Sequence, residues 1–229
     1  MMETQMRRFW FLALALLWCG CRQPESRPQP VQSAPRAEAA KPAAGPDARP
    51  AIVCFGDSLT AGQGLEPGQS YPDLLQQELD RRGRRYRVAN FGVSGDTSQD
   101  GVARLSLALA EKPVVVVLEL GANDGLRGQP IANTEANLSQ MIEAFQKAGA
   151  RVVLAGITLP PNYGPDYIKK FEAMYRNLAA RYQVALIPFL LAGVGGNPRL
   201  MQRDGLHPNA EGTRIVTATV LKSIEAMLK

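Results

Sequence analysis

The chain has 229 residues, of which 45% are hydrophobic, 21% charged and 7% aromatic, a composition typical of soluble globular proteins that excludes wholesale disorder. Three cysteines are too few for a disulfide scaffold, and the single histidine, His207, excludes any site built on several histidine ligands. The net charge of +5 leaves only +2 for residues 51–229, so we expect no nucleic-acid partner.

The N-terminus has the pattern of an export signal. Two arginines precede an apolar run from Phe9 to Trp18, which is about half of the ~20 residues that a membrane-spanning helix needs. The run leads into L-W-C-G-C, which resembles the bacterial lipobox, and the small glycine before Cys21 makes Cys21 a better lipid-attachment site than Cys19. We therefore predict a lipoprotein signal peptide over residues 1–20 and an exported, periplasmic protein anchored to a membrane through Cys21. Ordinary cleavage near Cys21, with release into the periplasm, is the alternative.

A proline-rich segment follows the signal. Residues 22–50 contain seven prolines and seven alanines and show no apolar periodicity, which is typical of an extended spacer. We predict that residues 21–50 are a disordered tether and that residues 51–229 form one folded domain, since about 180 residues suffice for a well-buried core.

From Ala51 onwards, apolar strands alternate with amphipathic helices. The clearest strand is V-V-V-V-L-E-L at 114–120, whose nearly continuous apolar run suits a strand covered on both faces. Strands are predicted at 51–55, 86–91, 114–120, 151–157 and 184–189, and helices at about 71–82, 99–110, 134–149, 166–182 and 209–228. This alternation predicts an α/β fold, a three-layer α/β/α sandwich around a five-stranded parallel sheet with flavodoxin-like architecture.

Open α/β sheets bind ligands at the carboxyl ends of their strands, so the segments that follow the strands are candidate sites. Ser58 follows the first strand in a glycine-flanked turn, Gly95 follows the second among small polar residues, and Asn123 follows the third. Asp204 and His207 lie three residues apart before the last helix, where a carboxylate can fix the imidazole tautomer. Taken singly, Ser58 could cap a helix, Gly95 could belong to a plain turn and Asn123 could form an Asx-turn.

Together these five residues supply the parts of an acyl-transfer site. Ser58 is the predicted nucleophile, His207 its general base and Asp204 the group that orients the imidazole. The backbone N–H groups of Ser58 and Gly95 and the side-chain amide of Asn123 are the predicted oxyanion donors. No step of such a reaction needs a metal or a cofactor, and we expect neither.

The order of these motifs resembles that of the SGNH hydrolases, also called the GDSL family. The blocks are G-D-S-L-T-A-G at 56–62, S-G-D-T-S-Q at 94–99, L-G-A-N-D-G-L-R-G at 120–128, L-P-P-N-Y-G at 159–164 and D-G-L-H-P-N at 204–209. Within that family, residues 51–229 are similar to the bacterial periplasmic thioesterase, lysophospholipase and arylesterase group. The resemblance implies a serine esterase that hydrolyses acyl esters and thioesters through an acyl-serine intermediate, with the same roles on the same five residues. The chain departs from the pattern at Ala122, where that group usually has glycine.

The resemblance also implies an acyl-binding groove beside the nucleophile. Leu126, Leu159, Pro160 and Tyr163 are the predicted substrate-binding residues, together with Ile131, and the alternative is that they only pack the loops. A groove of this kind near a membrane tether implies a lysolipid or another small acyl ester as the substrate, bound by a monomer. Two other functions stay open, namely a carbohydrate O-acetylesterase of the same fold and a non-catalytic, anchored binding lipoprotein.

Further positions near the motifs carry smaller predictions. Cys54 lies inside the first strand and is predicted to be a small buried hydrophobe rather than a second nucleophile. Asp57 is predicted to stabilise the turn before Ser58. Asp124 and Arg127 are either a surface pair or a contact of a mobile loop.

Overall fold

The computed structural model describes residues 47–228, so the predicted signal peptide, Cys21 and residues 21–46 of the predicted tether lie outside the described residues. Five strands form one sheet: β1 (Ala51–Gly56), β2 (Arg87–Gly92), β3 (Pro113–Glu119), β4 (Arg151–Ala155) and β5 (Ala185–Ile187). Their order across the sheet is β2-β1-β3-β4-β5, and every neighbouring pair is parallel. The predicted α/β fold with a five-stranded parallel sheet is thereby confirmed.

Helices connect the strands and cover both faces of the sheet. Within residues 47–228 they are α1 (Ser58–Ala61), α2 (Tyr71–Arg81), α3 (Ser98–Ala110), α4 (Ala122–Leu126), α5 (Ile131–Lys147), α6 (Pro165–Tyr182) and α7 (Ala210–Ile224). Short 3-10 turns occur at Pro161–Tyr163 and Glu225–Met227. Over this described range, no helix is both long and apolar enough to cross a bilayer.

The alternation of side chains along β1 shows how one strand serves two core layers. Ile52 and Cys54 pack with residues of α2 and α7, whereas Val53 and Phe55 pack with residues of α3, α5 and α6. All four are fully buried, as a nearly continuous apolar strand predicts. Burial raises the pKa of the Cys54 thiol to about 12, so Cys54 is a core residue, as predicted.

The structure differs from the predicted elements where the pattern is too short to read. Each of α1 and α4 is about one turn long, too short to show a helical period, and neither was predicted. β5 covers only half of the predicted 184–189, because Pro188 has no N–H to give to a sheet. The chain leaves the sheet there and runs irregularly to α7, and His207 lies near the end of this irregular segment.

Candidate active site

Ser58 is the first residue of α1 and follows β1 almost directly. The preceding residue, Asp57, is the cap of this helix, and its Oδ1 accepts a hydrogen bond from Leu59 N at 3.1 Å. The predicted turn-stabilising role of Asp57 is therefore confirmed, and Ser58 is a helical residue rather than the cap. α1 ends at Gly62, whose φ of +79° lies in the left-handed region that favours glycine.

His207 lies between Ser58 and Asp204. Its Nε2 is 2.9 Å from Ser58 Oγ, and its Nδ1 is 2.7 Å from Asp204 Oδ2. Asp204 Oδ1 also accepts hydrogen bonds from Leu206 N (2.9 Å) and His207 N (3.1 Å), so a local turn fixes the carboxylate. Because a carboxylate only accepts, Nδ1 carries the ring proton and Nε2 is free to accept from the Ser58 hydroxyl.

The ionisation of Asp204 suits this arrangement. Partial burial opposes its charge, but the hydrogen bonds from His207 and from the backbone of Leu206 outweigh burial and hold the pKa of Asp204 below its usual value. A carboxylate is thus present at neutral pH to stabilise an imidazolium ion at His207.

Gly95 lies in the loop between β2 and α3 with a φ of +87°, a conformation that a side chain rarely adopts. Arg127 Nη2 donates to Gly95 O at 2.9 Å, so the carbonyl group of Gly95 is held by a hydrogen bond from α4's C-terminal flank. This contact answers the question left open for Arg127: it binds the loop that carries Gly95.

Arg104 in α3 ties the same loop to the sheet. Its guanidinium lies 4.1 Å from the centre of the Phe55 ring and donates to Asp96 Oδ2 (2.6 Å), Phe91 O (2.8 Å) and Gly56 O (2.8 Å). The sequence analysis did not single out Arg104. The available signal was its place beside Leu105, a buried residue of the predicted helix.

Asn123 lies in α4, after the central strand, and its Nδ2 donates to Asp96 O at 2.9 Å and to Asp57 Oδ2 at 3.2 Å. The next residue, Asp124, is fully buried and accepts from Ser98 N (2.8 Å), Ser98 Oγ (2.6 Å) and Thr134 Oγ1 (3.2 Å). Asp124 is therefore not half of a surface pair: it joins α4 to the starts of α3 and α5.

A cavity of about 650 Å³ opens over Ser58, and its polar end is lined by Ser58, Gly95, Asn123 and His207. Three of the predicted substrate-binding residues, Leu126, Leu159 and Pro160, line its apolar part. Tyr163 packs behind this wall, and its hydroxyl donates to Leu126 O at 2.7 Å. Tyr163 therefore supports the cavity wall but does not line the cavity. Ile131 also lies outside the cavity lining and packs against the core.

Four further apolar residues of the cavity lining were missed from the sequence. They come from the segments that follow β4 and β5: Ile157, Phe189, Leu191 and Met201. The available signal was their position, because these segments also begin at carboxyl ends of strands. Among residues 47–228 there is no cluster of three or more metal-ligating side chains.

The chain is similar to known proteins in both sequence and structure. Residues 54–215 match the GDSL-like lipase/acylhydrolase family. Esterase TesA of Pseudomonas aeruginosa is 50% identical over 158 residues, which cover 69% of this chain and 79% of that protein. Thioesterase 1/protease 1/lysophospholipase L1 of Escherichia coli K12 is 38% identical over 178 residues, which cover 77% and 84%. A crystal structure of TesA superposes with a TM-score of 0.75 at 45% identity, covering 78% of this chain and 99% of that one.

Proposed function

Because the chain belongs to the GDSL-like lipase/acylhydrolase family and is a serine esterase for ester and thioester bonds, we propose which residues carry its reaction. Ser58 is the nucleophile, His207 the general base and Asp204 the residue that orients His207. The observation that carries this proposal is the 2.9 Å separation of Ser58 Oγ and His207 Nε2, which are 149 residues apart in the chain.

The proposed reaction has two stages. Ser58 Oγ attacks the carbonyl carbon while its proton passes to His207 Nε2, and the protonated imidazole then gives that proton to the leaving alcohol or thiol. In the second stage His207 takes a proton from water, which attacks the carbonyl carbon of acyl-Ser58. The bond to Ser58 Oγ then breaks as His207 returns the proton to Oγ, which releases the acid. Asp204 stabilises the imidazolium ion in both stages.

The oxyanion of each tetrahedral intermediate is bound by three proposed donors: Ser58 N–H, Gly95 N–H and Asn123 Nδ2. Ser58 N–H belongs to the first turn of α1, whose N–H groups have no partner within the helix. All three residues line one cavity, which supports a common target. One well-aimed donor stabilises such a transition state by about 3 kcal/mol.

The direct test of the proposed nucleophile is turnover of p-nitrophenyl butyrate by Ser58→Ala. We expect turnover to be abolished while the melting temperature is unchanged, because the Ser58 hydroxyl has its bond to His207 at the edge of the cavity. Ser223→Ala is the matched control, since the Ser223 hydroxyl bonds only within α7, to Thr219 O. Equal rates for Ser58→Ala and the wild type would contradict the proposal.

The apolar walls support medium or long acyl chains, including those of lysolipids, as the acyl part of the substrate. Burial of each CH₂ contributes about 0.8 kcal/mol, so kcat/KM can rise by up to about fourfold for each carbon that the groove holds. We expect kcat/KM to rise from acetyl to at least octanoyl p-nitrophenyl esters. A preference for acetyl, with loss beyond butyryl, would instead support the carbohydrate O-acetylesterase.

A groove variant sharpens this test. Phe189→Ala removes part of the wall that follows β5 and should reduce octanoyl turnover more than acetyl turnover. Leu107→Ala is the control, because Leu107 is an exposed residue of α3 outside the cavity. Equal losses of turnover on both esters would show that Phe189 does not contribute to binding of the acyl chain.

We further propose that the enzyme is exported and lipid-anchored, with a signal peptide over 1–20, a tether over 21–50 and a catalytic domain over 51–229. The basic and apolar N-terminus and the L-W-C-G-C letters support this proposal. In a bacterial host, the full chain should incorporate labelled palmitate and sediment with membranes, whereas Cys21→Ala should lose the label. Unlabelled, soluble wild-type protein would support simple release. Action as a monomer stays a prediction, to be checked by light scattering.

A further inference from the structure

Two carboxyl groups meet in the interior directly behind the nucleophile. Asp57 precedes Ser58 and is 1% exposed, and Glu119 ends β3 and is fully buried. They are brought together because β1 and β3 pair in parallel, with Gly56 opposite Glu119. The proposed reaction gives neither carboxyl group a role.

The surroundings of Glu119 hold its side chain in one place. Glu119 Oε2 accepts from Asp57 N (3.2 Å) and from Thr60 Oγ1 (2.8 Å), and Thr60 Oγ1 is 3.1 Å from the Tyr71 hydroxyl. A Cβ atom at Gly56 would overlap both Thr60 Oγ1 and Glu119 Oε2. Glu119 Oε1 has no hydrogen-bond partner in the described part of the chain.

The Asp57 carboxylate links this buried pair to the active site. Its Oδ1 caps α1 through Leu59 N, and its Oδ2 accepts from Asn123 Nδ2. The second acceptor of Asn123 Nδ2 is Asp96 O. A carboxylate and a carbonyl can only accept, so both of them require the nitrogen, not the oxygen, of the Asn123 amide at this edge of the cavity.

The charge state of the pair follows from its burial. Burial raises the pKa of Asp57 to about 6 and the pKa of Glu119 well above its usual value, so the pair retains a proton at a pH where exposed carboxyl groups are ionised. Two apolar side chains would be easier to bury than two carboxyl groups. The fold therefore retains a costly arrangement beside Ser58, and perturbed carboxyl groups of this kind cluster at functional sites.

We propose that Glu119 and Asp57 are positioning residues of the oxyanion hole: Glu119 holds the backbone of Asp57 through Asp57 N, and the Asp57 carboxylate keeps the Asn123 nitrogen at this edge of the cavity. One Asn123 N–H stays on Asp57, and the other, which bonds to Asp96 O in the free enzyme, turns to the substrate oxygen. The inference rests on the proposed role of Asn123 as an oxyanion donor. Asp57→Asn keeps the shape of the side chain but offers an NH₂ group of its own, which allows the Asn123 amide to turn over.

The experiment is a double-mutant cycle between Asp57→Asn and Asn123→Ala, read as kcat and KM on p-nitrophenyl butyrate. Asn123→Ala should lower kcat about a hundredfold. Asp57→Asn should lower kcat about tenfold and change KM by less than about twofold, because the amide acts in the transition state. In the Asn123→Ala background, Asp57→Asn should lower kcat by less than about twofold more, because its target is gone. An equal loss in both backgrounds, or no loss in the wild-type background, overturns the proposal.

A second pair of variants covers the case in which Asp57→Asn does not fold. Glu119→Gln keeps an acceptor oxygen for Thr60 Oγ1 and Asp57 N, so it should recover most of the kcat that Glu119→Leu loses. The loss in Glu119→Leu should again disappear in the Asn123→Ala background, and an equal loss in both backgrounds overturns the proposal. Failure of the proposed function is distinguishable, because the wild type itself would then show no turnover that depends on Ser58.

Discussion

The two sides of the active site are built in different ways. The proposed oxyanion side, formed by the segments that follow β1, β2 and β3, is fixed by charged groups with little exposure: Glu119 and Asp124 are fully buried, and the Arg104 side chain is 16% exposed. The base side carries Asp204 and His207 on a surface turn, where the Asp204 side chain is 42% exposed and is held by neighbouring backbone groups. The difference follows from the two tasks. Oxyanion donors must be in place before negative charge develops on the substrate oxygen. A general base needs only the correct tautomer and a position within hydrogen-bond distance of the nucleophile.

The same contrast is visible in the carboxyl groups themselves. Hydrogen bonds from His207 and the backbone outweigh the partial burial of Asp204 and hold its pKa low. Burial dominates at Asp57 and raises its pKa to about 6. An exposed, hydrogen-bonded carboxylate thus serves the base, and a buried carboxyl pair serves the donors.

The base side should show the largest single effect. His207→Ala should lower kcat/KM by at least about 10⁴-fold, and the double variant with Ser58→Ala should lose little more, because nucleophile and base act as a unit. Asp204→Asn should lose less than His207→Ala, since the base remains and only its orientation and charge stabilisation suffer. Steady-state kinetics on p-nitrophenyl butyrate checks the order. A larger loss in Asp204→Asn than in His207→Ala would contradict it.

Substitutions on the proposed oxyanion side should lower the free energy of unfolding. Arg104→Ala removes the hydrogen bonds that Arg104 donates to Asp96 Oδ2, Phe91 O and Gly56 O, and the side chains of Arg104 and Asp96 are only 16% and 14% exposed. We expect a loss of about 2–3 kcal/mol in the free energy of unfolding, measured in urea. Arg176→Ala is the control, because its 3.8 Å pair with Glu172 is exposed and should contribute less than about 0.5 kcal/mol. Similar losses in the two variants would refute the contrast.

A smaller effect should appear in the pH dependence of stability. The folded-state pKa values of Asp57 and Glu119 are raised, so the folded protein binds protons that the unfolded chain has already released. The contribution of Asp57 to stability is therefore greatest at low pH and is lost as the pH rises through about 6, and the contribution of Glu119 is lost above the usual titration range of a glutamate. Glu119→Gln removes one of the two groups, so the fall in unfolding free energy from pH 5 to pH 8 should be smaller than in the wild type.

The control for this measurement is Glu66→Gln, which changes an exposed residue and should leave the wild-type pH dependence intact. Equal slopes for Glu119→Gln and the wild type between pH 5 and pH 8 would mean that the carboxyl pair does not titrate as described.

Much of the site could be predicted because its parts are local motifs at the ends of recognisable strands. Ser58, Gly95 and Asn123 each follow a strand, and the rule that parallel strands present their carboxyl ends at one edge brings them together. Asp204 and His207 were readable because only three residues separate them. The five-stranded parallel sheet was readable because β1 and β3 are continuous apolar runs.

The rest of the site could not be predicted, because it depends on contacts between residues that are far apart in the chain. Glu119 stands inside a strand that is buried on both faces, and its charge was the one available signal, but its partner Asp57 is 62 residues away. Asp124 was expected to form a surface pair with Arg127 or a contact of a mobile loop. It is instead fully buried and bonds to Ser98 and Thr134, at the starts of α3 and α5. Phe189, Leu191 and Met201 of the cavity lining come from the irregular segment after β5, where no periodicity exists to be read.

The most direct test of the central claim is to locate the covalent adduct that a fluorophosphonate forms with the folded wild-type chain. The account predicts one adduct, on the peptide that contains Ser58, with labelling abolished in Ser58→Ala and slowed by several orders of magnitude in His207→Ala. An adduct on another residue, or undiminished labelling of the His207→Ala protein, would contradict a nucleophile activated across the 2.9 Å contact.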